Sequence, residues 1–214
     1  MGKIEQGILG AFSGTVGTVV GARWRGIRYM RGKGPSTRPT STVKQHRQRE
    51  RFLLMVHFVR AMSPIITLGY KKLAVNMTPA NAALSYNLKN GVTGTYPDFE
   101  VAYDMVLLSR GDLPNANNVA AVAEGGSTVK FTWLNNAGSG KALESDLCMA
   151  AAYCEELDLA ICSILNPADT REKQLFNLNV SDFAGRSVET YLTFFSADGK
   201  EIANSAYTGN VQLS

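Results

Sequence analysis

Hydrophobic and polar residues alternate in short segments from residue 98 to the end of the chain. The segments cover residues 99–109, 118–124, 127–134, 147–154, 159–165, 173–180, 187–195 and 205–213. Alternation with a period of two indicates half-buried strands, and turn residues recurring about every eight to twelve positions are typical of a sandwich of antiparallel sheets. The pattern therefore predicts an antiparallel β-sandwich over residues 98–214.

A helical period replaces this alternation in the preceding part of the chain. A capping-box pattern followed by an apolar stripe at helical spacing predicts a helix over residues 43–62. Pro64 ends or bends this helix, because the residue before a proline avoids the helical conformation. Thr78 as the N-cap and Pro79 at the first helical position predict a second helix over residues 79–90.

The first 34 residues contain nine glycines, of which those at positions 7, 10, 14, 17 and 21 are spaced as on one helical face. A helix would lose about 1 kcal/mol at each glycine relative to alanine, which argues against a helix. The following residues are rich in Val, Ile, Trp and Tyr, which favour strands, and Gly26 supplies a turn. We expect a glycine-rich β-hairpin followed by a linker at residues 32–42.

These elements predict an α+β chain, mainly β, in which the hairpin and two or three helices precede the sandwich. Residues 1–97 hold fifteen Lys and Arg against two acids, a net charge of +13. Residues 98–214 hold seven Lys and Arg against sixteen acids, a net charge of −9. Such asymmetry predicts a basic N-terminal region, 1–97, and an acidic β-sandwich domain, 98–214.

Two stretches of the C-terminal part resemble a known module. STVKFTWLNNAGSGK places Trp133 at the end of a strand, with Val129 and Phe131 alternating inward beneath it. Downstream, YLTFFSADGKEIANS gives a Tyr-led strand, a Gly-containing turn and a return strand. Together they resemble the second and the last two strands of a fibronectin type III module over roughly residues 112–214. The resemblance implies an immunoglobulin-like sandwich used for interaction or spacing, and it implies no chemistry.

A second resemblance covers most of the chain. The stretches that carry it are MGKIEQGILGAFSGTVGTVVG, WRGIRYMR, RFLLMVHFV with SPIITLGY, NAALSYNLKNGVTGTYPDFE and VLLSRGDLP. They are similar to an uncharacterised family of Bacteroidetes proteins, known as a domain of unknown function. This resemblance implies no activity and no functional residues.

The two histidines, His46 and His57, are the first candidates for chemistry. They share a helix face, but a rise of about 1.5 Å per residue separates them by about 16 Å, too far to share a metal ion. The stretch NNAGSGKALES partly matches a phosphate-binding loop. However, Asn135 occupies the position of the required glycine, and Ala142 replaces the Ser or Thr that would hold magnesium. We therefore predict no metal and no cofactor.

Three cysteines, Cys148, Cys154 and Cys162, fit neither a metal motif nor a disulfide framework. Their odd number predicts buried thiols in a reducing compartment. A cysteine nucleophile needs a nearby base, and both histidines lie in the basic region. The adjacent acids Glu155 and Glu156 would point to opposite faces of a strand rather than form an acid–base pair. The sequence thus predicts no catalytic residues and no enzymatic activity.

The cations of the N-terminal region, interleaved with aromatic residues, form the candidate interaction surface. Its residues are Arg23, Trp24, Arg25, Arg28, Tyr29, Arg31 and Lys33 on the hairpin, and Lys44, Arg47, Arg49 and Arg51 on the helix. Arginine with aromatic neighbours is enriched at protein–protein interfaces. The same composition also suits stacking on bases and binding of phosphates.

The preferred hypothesis is a non-enzymatic structural or protein–protein assembly module. Its basic surface would engage the acidic β surface of another copy, as a homo-oligomer, or of a different acidic protein partner. The alternative is a nucleic-acid-binding protein that uses the Arg-rich region. A third hypothesis is that the sandwich binds a carbohydrate or another ligand. It is based on analogy with similar folds, and its specific support is the aromatic residues Tyr153 and Tyr191.

The N-terminus carries no convincing secretory signal. The uncharged run over residues 6–22 contains five glycines and is too weakly apolar to span a bilayer, which needs about 20 mostly apolar residues. The sequence therefore predicts no membrane span and a cytoplasmic location.

Overall fold

The computed structural model of the protein describes residues 2–4, 10–35 and 41–214. Gly7 of the glycine run and residues 36–40 of the predicted linker lie outside the described residues. The chain divides into two compact units, Met1–Thr42 and Val43–Ser214.

The first unit is an antiparallel four-stranded sheet in the order β1-β2-β3-β4. Its strands are β1 (Lys3–Ile4), β2 (Phe12–Val16), β3 (Val19–Trp24) and β4 (Ile27–Gly32). Arg25 and Gly26 connect β3 to β4, with φ of 46° and 89°. Positive φ at both central residues is the turn geometry that matches the twist of paired strands.

Three helices open the second unit: α1 (Val43–Ala61), α2 (Ser63–Gly69) and α3 (Pro79–Asn90). They confirm the helical part of the predicted fold. Thr78 caps α3, since its hydroxyl accepts a hydrogen bond from the Asn81 N–H at 3.2 Å. Among the described helices none alone is long and apolar enough to cross a membrane. Helices α1 and α2 together satisfy the length and composition, but they meet at 88°.

A short hairpin, β5 (Val92–Thr95) and β6 (Asp98–Val101), follows α3. The single strand expected over 99–109 is wrong beyond Val101. Leu107 and Leu108, which the prediction included in that strand, make their hydrogen bonds with distant side chains and not with a neighbouring strand. The buried Asn87 amide bonds both the N–H and the C=O of Leu107, each at 3.0 Å. The Leu108 N–H donates to Ser205 Oγ at 2.8 Å.

Seven strands complete the unit. They are β7 (Asn117–Ala123), β8 (Thr128–Leu134), β9 (Leu147–Cys154), β10 (Leu159–Ser163), β11 (Leu175–Asn179), β12 (Ser187–Phe195) and β13 (Ala206–Gln212). Short 3-10 helices lie at Arg171–Lys173 and Ser181–Phe183. The strands form two antiparallel sheets, ordered β11-β8-β7 and β10-β9-β12-β13. This is the predicted immunoglobulin-like sandwich.

The two sheets enclose one hydrophobic core. Val129, Phe131 and Trp133 alternate inward along β8, as expected, and each is buried. The Trp133 ring packs edge-on against Phe194 with ring centroids 5.3 Å apart. The Trp133 Nε1–H donates to the Arg171 carbonyl at 2.8 Å, which satisfies the polar atom of the buried indole.

The helices cover the outer face of the β10-β9-β12-β13 sheet of the sandwich. Ala151 and Tyr153 of β9 and Tyr191 of β12 share a second core with Met55 and Phe58 of α1. Strand β9 is therefore buried on both faces, which explains its nearly continuous apolar sequence.

The second core also places the helices in one compact unit with the sandwich. The chain divides into its compact units between residues 42 and 43, whereas the boundary predicted near residue 97 marks a change of charge. The physical reason is the buried core that the helices and β9 share, which the charge asymmetry does not reveal.

Candidate interaction surfaces

The first unit carries seven of the predicted interface residues, and we call this unit the basic sheet. The β3–β4 register places Arg23 opposite Arg28 and Trp24 opposite Ile27. Because alternate residues of a strand point to opposite faces, the two arginines share one face, while Trp24 shares the other with Arg31. The predicted cations are thus divided between both faces of the sheet.

Two like charges lie opposite each other in the basic sheet. Like charges directly opposite each other on paired strands are destabilising, and Arg23 and Arg28 have this arrangement. The Arg25 guanidinium lies 5.0 Å from the centre of the Trp24 ring. This cation–π contact fixes a charged and aromatic group together at the hairpin turn.

Large apolar side chains of the basic sheet face solvent. Trp24, Ile27 and Met30 are 61%, 65% and 68% exposed. Among the described residues of this unit only Gly21 is buried. The β3–β4 register places Trp24 and Ile27 on one face and Met30 on the other. A sheet normally buries one apolar face against another layer, so the exposure of apolar side chains on both faces is unusual.

The four helix residues of the predicted surface lie in the second unit, on α1. Lys44, Arg47 and Arg49 are exposed, whereas Arg51 is half-buried. Arg47 lies 5.9 Å from the ring centre of Tyr96. Arg51 donates to the Leu88 carbonyl at 3.2 Å and lies 5.8 Å from the Phe99 ring centre. Arg51 therefore connects α1 to α3 and to the β5–β6 hairpin.

A cleft of 420 Å³ opens between α1 and the β9–β10 turn, and we call it the acidic cleft. Apolar side chains of α1 and β6 line part of it. Its polar and aromatic lining residues are Glu50, His57, Tyr103, Tyr153, Glu155 and Asp158.

Asp158 joins three elements at the mouth of the acidic cleft. Its Oδ2 lies 2.9 Å from Nδ1 of His57 on α1, and its Oδ1 accepts a hydrogen bond from the Tyr153 hydroxyl at 3.0 Å. Asp158 itself occupies the β9–β10 turn with a positive φ of 50°. These two contacts connect the β9–β10 turn to helix α1 and to strand β9.

Two phenols of the acidic cleft are neutral at ordinary pH. Burial, followed by the hydrogen bond to Asp158, raises the pKa of Tyr153 above its usual value. Burial, followed by the charge of Glu155, raises the pKa of Tyr103. The Tyr103 oxygen is enclosed, and it makes no hydrogen bond of normal geometry with the described residues.

The neighbouring acids of the β9–β10 turn differ in their surroundings. Glu156 Oε2 lies 3.2 Å from Nε of Arg186, whereas Glu155 lines the acidic cleft. Both acids lie in the turn after β9 and not on a strand, so the expected placement on opposite strand faces does not apply to them. None of the ion pairs among the described residues includes Glu50 or Glu155.

The acidic cleft is not apparent from the sequence. The sequence offers His57 as a metal ligand or a base, and Tyr153 as a carbohydrate or ligand contact, but it does not bring the two residues together. His57 and Asp158 are 101 positions apart, so no local motif joins them. The acid-rich turn after β9 is the one signal that could have been used.

The fold and these surfaces define an immunoglobulin-like sandwich with a helical layer on one sheet and a basic N-terminal sheet. The model of the family described as "Family of unknown function (DUF6266)" matches residues 11–209, and the chain belongs to this family. No curated protein matches the chain.

A solved structure similar to part of the chain is the fn3 domain of the human collagen alpha-1(XX) chain, at 10% sequence identity and a TM-score of 0.35. The match covers 47% of this chain and 85% of the collagen domain.

Proposed function

We propose that the protein is a non-enzymatic assembly module, in which the basic sheet of one copy binds an acidic surface of a second copy. The observation that carries the proposal is the basic sheet itself. Among its described residues only Gly21 is buried, while Trp24, Ile27 and Met30 face solvent. Small sheets gain stability by packing an apolar face against another layer, and a partner molecule supplies that layer.

Charge supports a second copy as the partner. Residues 1–42 hold seven Lys and Arg against one acid, a net charge of +6. The second unit carries −2, because the +7 of residues 43–97 offsets most of the −9 of residues 98–214, so its negative charge lies in the sandwich part. Complementary charge accelerates association and suppresses wrong partners. The two surfaces differ, so the contact is head-to-tail and generates rings or filaments.

The cysteines support the non-enzymatic part of the proposal. Burial raises the pKa of Cys162 to about 11 and that of Cys148 further. Neutral thiols are poor nucleophiles at physiological pH. All three cysteines are free, which supports a reducing, cytoplasmic location. The Bacteroidetes source implied by the sequence resemblance belongs to the same proposal.

Light scattering on a sizing column, at low and high salt, tests the assembly. We expect the wild-type protein to form oligomers at low salt that dissociate at high salt, because salt screens exposed charges. The triple variant Arg23→Ala, Arg25→Ala, Arg31→Ala should remain monomeric. The matched control Arg60→Ala, Lys71→Ala, Lys89→Ala removes the same charge from exposed positions of the second unit and should still assemble.

Two outcomes would overturn the proposal. If the wild-type protein stays monomeric at low salt and high concentration, the self-assembly proposal is wrong. A peak with strong 260 nm absorbance that salt strips away shows that the basic sheet binds nucleic acid instead.

A further inference from the structure

We infer that the acidic cleft is a receptor for an arginine side chain, supplied by the basic sheet of a second copy. The inference rests on the proposed function, because it identifies the surface that the basic sheet binds. It assigns a role to a cleft that contains none of the residues of the predicted basic interaction surface.

Carboxylates approach the cleft from two elements. Glu50 lies on α1, while Glu155 and Asp158 lie in the β9–β10 turn. Asp158 is already bonded to His57 and Tyr153. Glu50 and Glu155 have no cationic partner among the described residues. A guanidinium, which bonds carboxylates through two N–H groups at once, satisfies this arrangement.

Aromatic rings and an enclosed hydroxyl point to the same ligand independently of the charges. The Tyr103 and Tyr153 rings both line the cleft, with centroids 6.1 Å apart. Guanidinium groups stack on such rings. The Tyr103 hydroxyl lies beside the Glu155 carboxylate, and burial followed by this charge raises its pKa, but it makes no hydrogen bond of normal geometry with the described residues. A phenol oxygen also accepts hydrogen bonds from N–H donors, so a guanidinium can bond the Tyr103 oxygen and the Glu155 carboxylate together.

The rest of the lining favours an organic cation over a metal ion. Leu53, Leu54 and Val101 provide apolar surface for the aliphatic stem of an arginine. In the part of the chain that the structure describes, no three His, Cys, Asp or Glu side chains converge as metal ligands. The exposed cations of β3 and β4 and their turn, Arg23, Arg25, Arg28 and Arg31, are all arginines.

The direct test uses the full chain with Arg23→Ala, Arg25→Ala, Arg31→Ala, so that self-assembly does not compete. N-acetyl-arginine methylamide is titrated while the ring signals of Tyr103, Tyr153 and His57 are followed by NMR. We expect saturable shifts with this probe. The neutral citrulline analogue should produce none, and the lysine analogue should bind more weakly because it lacks the planar fork.

Two single substitutions, each added to the triple variant, test whether the arginine probe binds in the cleft or elsewhere on the β9–β10 turn. Glu155→Gln should weaken arginine binding about tenfold, since one charge-assisted pair is lost. The control Glu156→Gln removes the same charge from the adjacent residue, which faces Arg186, and should leave binding unchanged. Equal shifts with the arginine and citrulline probes, or no loss with Glu155→Gln, would overturn the inference.

The same two substitutions in the otherwise wild-type chain connect the cleft to assembly. Glu155→Gln should prevent the salt-sensitive oligomer, and Glu156→Gln should not. If both variants assemble like the wild type, the cleft is not the receptor, while the proposed function stands. If the wild type never assembles but the cleft binds the arginine probe, the second copy is excluded as the source of the arginine.

Discussion

Arg171 and Asp146 form an ion pair from which solvent is excluded, since both side chains are 0% exposed. Nη2 of the arginine lies 3.1 Å from Oδ2 of the aspartate. The Nε–H donates to the same carboxylate oxygen at 3.1 Å, Nη1 donates to Asn136 Oδ1 at 2.6 Å, and Nη2 donates to the Pro114 carbonyl at 2.9 Å. The guanidinium carbon also lies 4.2 Å from the ring centre of Phe194. One side chain therefore joins the loops at one end of the sandwich.

Removing one partner of this pair should be severely destabilising. Arg171→Met leaves the Asp146 carboxylate buried without its cation, and we expect a loss of about 3–5 kcal/mol in the free energy of unfolding. Urea denaturation followed by circular dichroism measures the change. Lys173→Met, two residues away and exposed, is the control and should change stability by less than about 0.5 kcal/mol. Equal effects of the two substitutions would contradict the structural role of the pair.

Gly69 is required by a close backbone approach at the end of α2. A methyl group at this position would lie 2.7 Å from the Ser109 Cα, and the Arg110 N–H bonds the Gly69 carbonyl at 3.1 Å. Gly69→Ala should therefore destabilise the protein by about 1–3 kcal/mol, although alanine is the better helix former.

Thermal unfolding measures the Gly69 effect. Gly32→Ala is the control, because a methyl group there meets nothing within 4 Å. A more stable Gly69→Ala variant would show that the backbone segments separate easily.

The shared core predicts which fragments fold. A fragment of residues 43–214 keeps the helical layer on the sheet and should unfold cooperatively. A fragment of residues 98–214 exposes Ala151, Tyr153 and Tyr191, so it should aggregate or lack a sharp transition. Solubility and NMR dispersion distinguish the two. A well-folded 98–214 fragment would show that the sandwich folds without the helices, as the predicted boundary near residue 97 implies.

Stability should fall at alkaline pH. Burial raises the pKa of Cys162 from 9.0 to about 11, and burial raises the pKa of Tyr191 from 10.0 in the same direction. A raised pKa means that the folded state keeps a proton which the unfolded state releases. The resulting stability is fully present below about pH 9 and is lost as the pH rises through 11.

Urea midpoints between pH 8 and 11 test the alkaline prediction. Cys162→Ala removes one titrating group, so the slope of stability against pH should become shallower above pH 9. Ser163→Ala changes the next residue without removing a titrating group, and its slope should match the wild type. Unchanged midpoints across this range would contradict the burial of these groups.

Much of the sandwich follows from the sequence, because its strands satisfy their own local pattern. The alternation of Val129, Phe131 and Trp133 correctly predicts the inward face of β8. The segment at Leu107 is different, since its hydrogen bonds come from Asn87 and other distant side chains. A local pattern carries no information about such partners.

The domain boundary and the acidic cleft show the same limit. Charge divides the sequence near residue 97, but charge describes the surface, whereas the unit is held together by buried contacts of Met55 and Phe58. The cleft depends on His57 meeting Asp158 across 101 positions. Both features arise only when the helices pack on the sheet.

Strand β9 carries a consequence for tracing the ancestry of this fold. Its three consecutive alanines, Ala150 to Ala152, are all fully buried because one layer approaches from each side. Larger side chains there would push either the helical layer or the facing sheet outward, so we expect selection to remove most substitutions at these positions. We expect the stretch LCMAAAYC to diverge more slowly than the cation-rich N-terminus, which makes it the better anchor for aligning remote relatives.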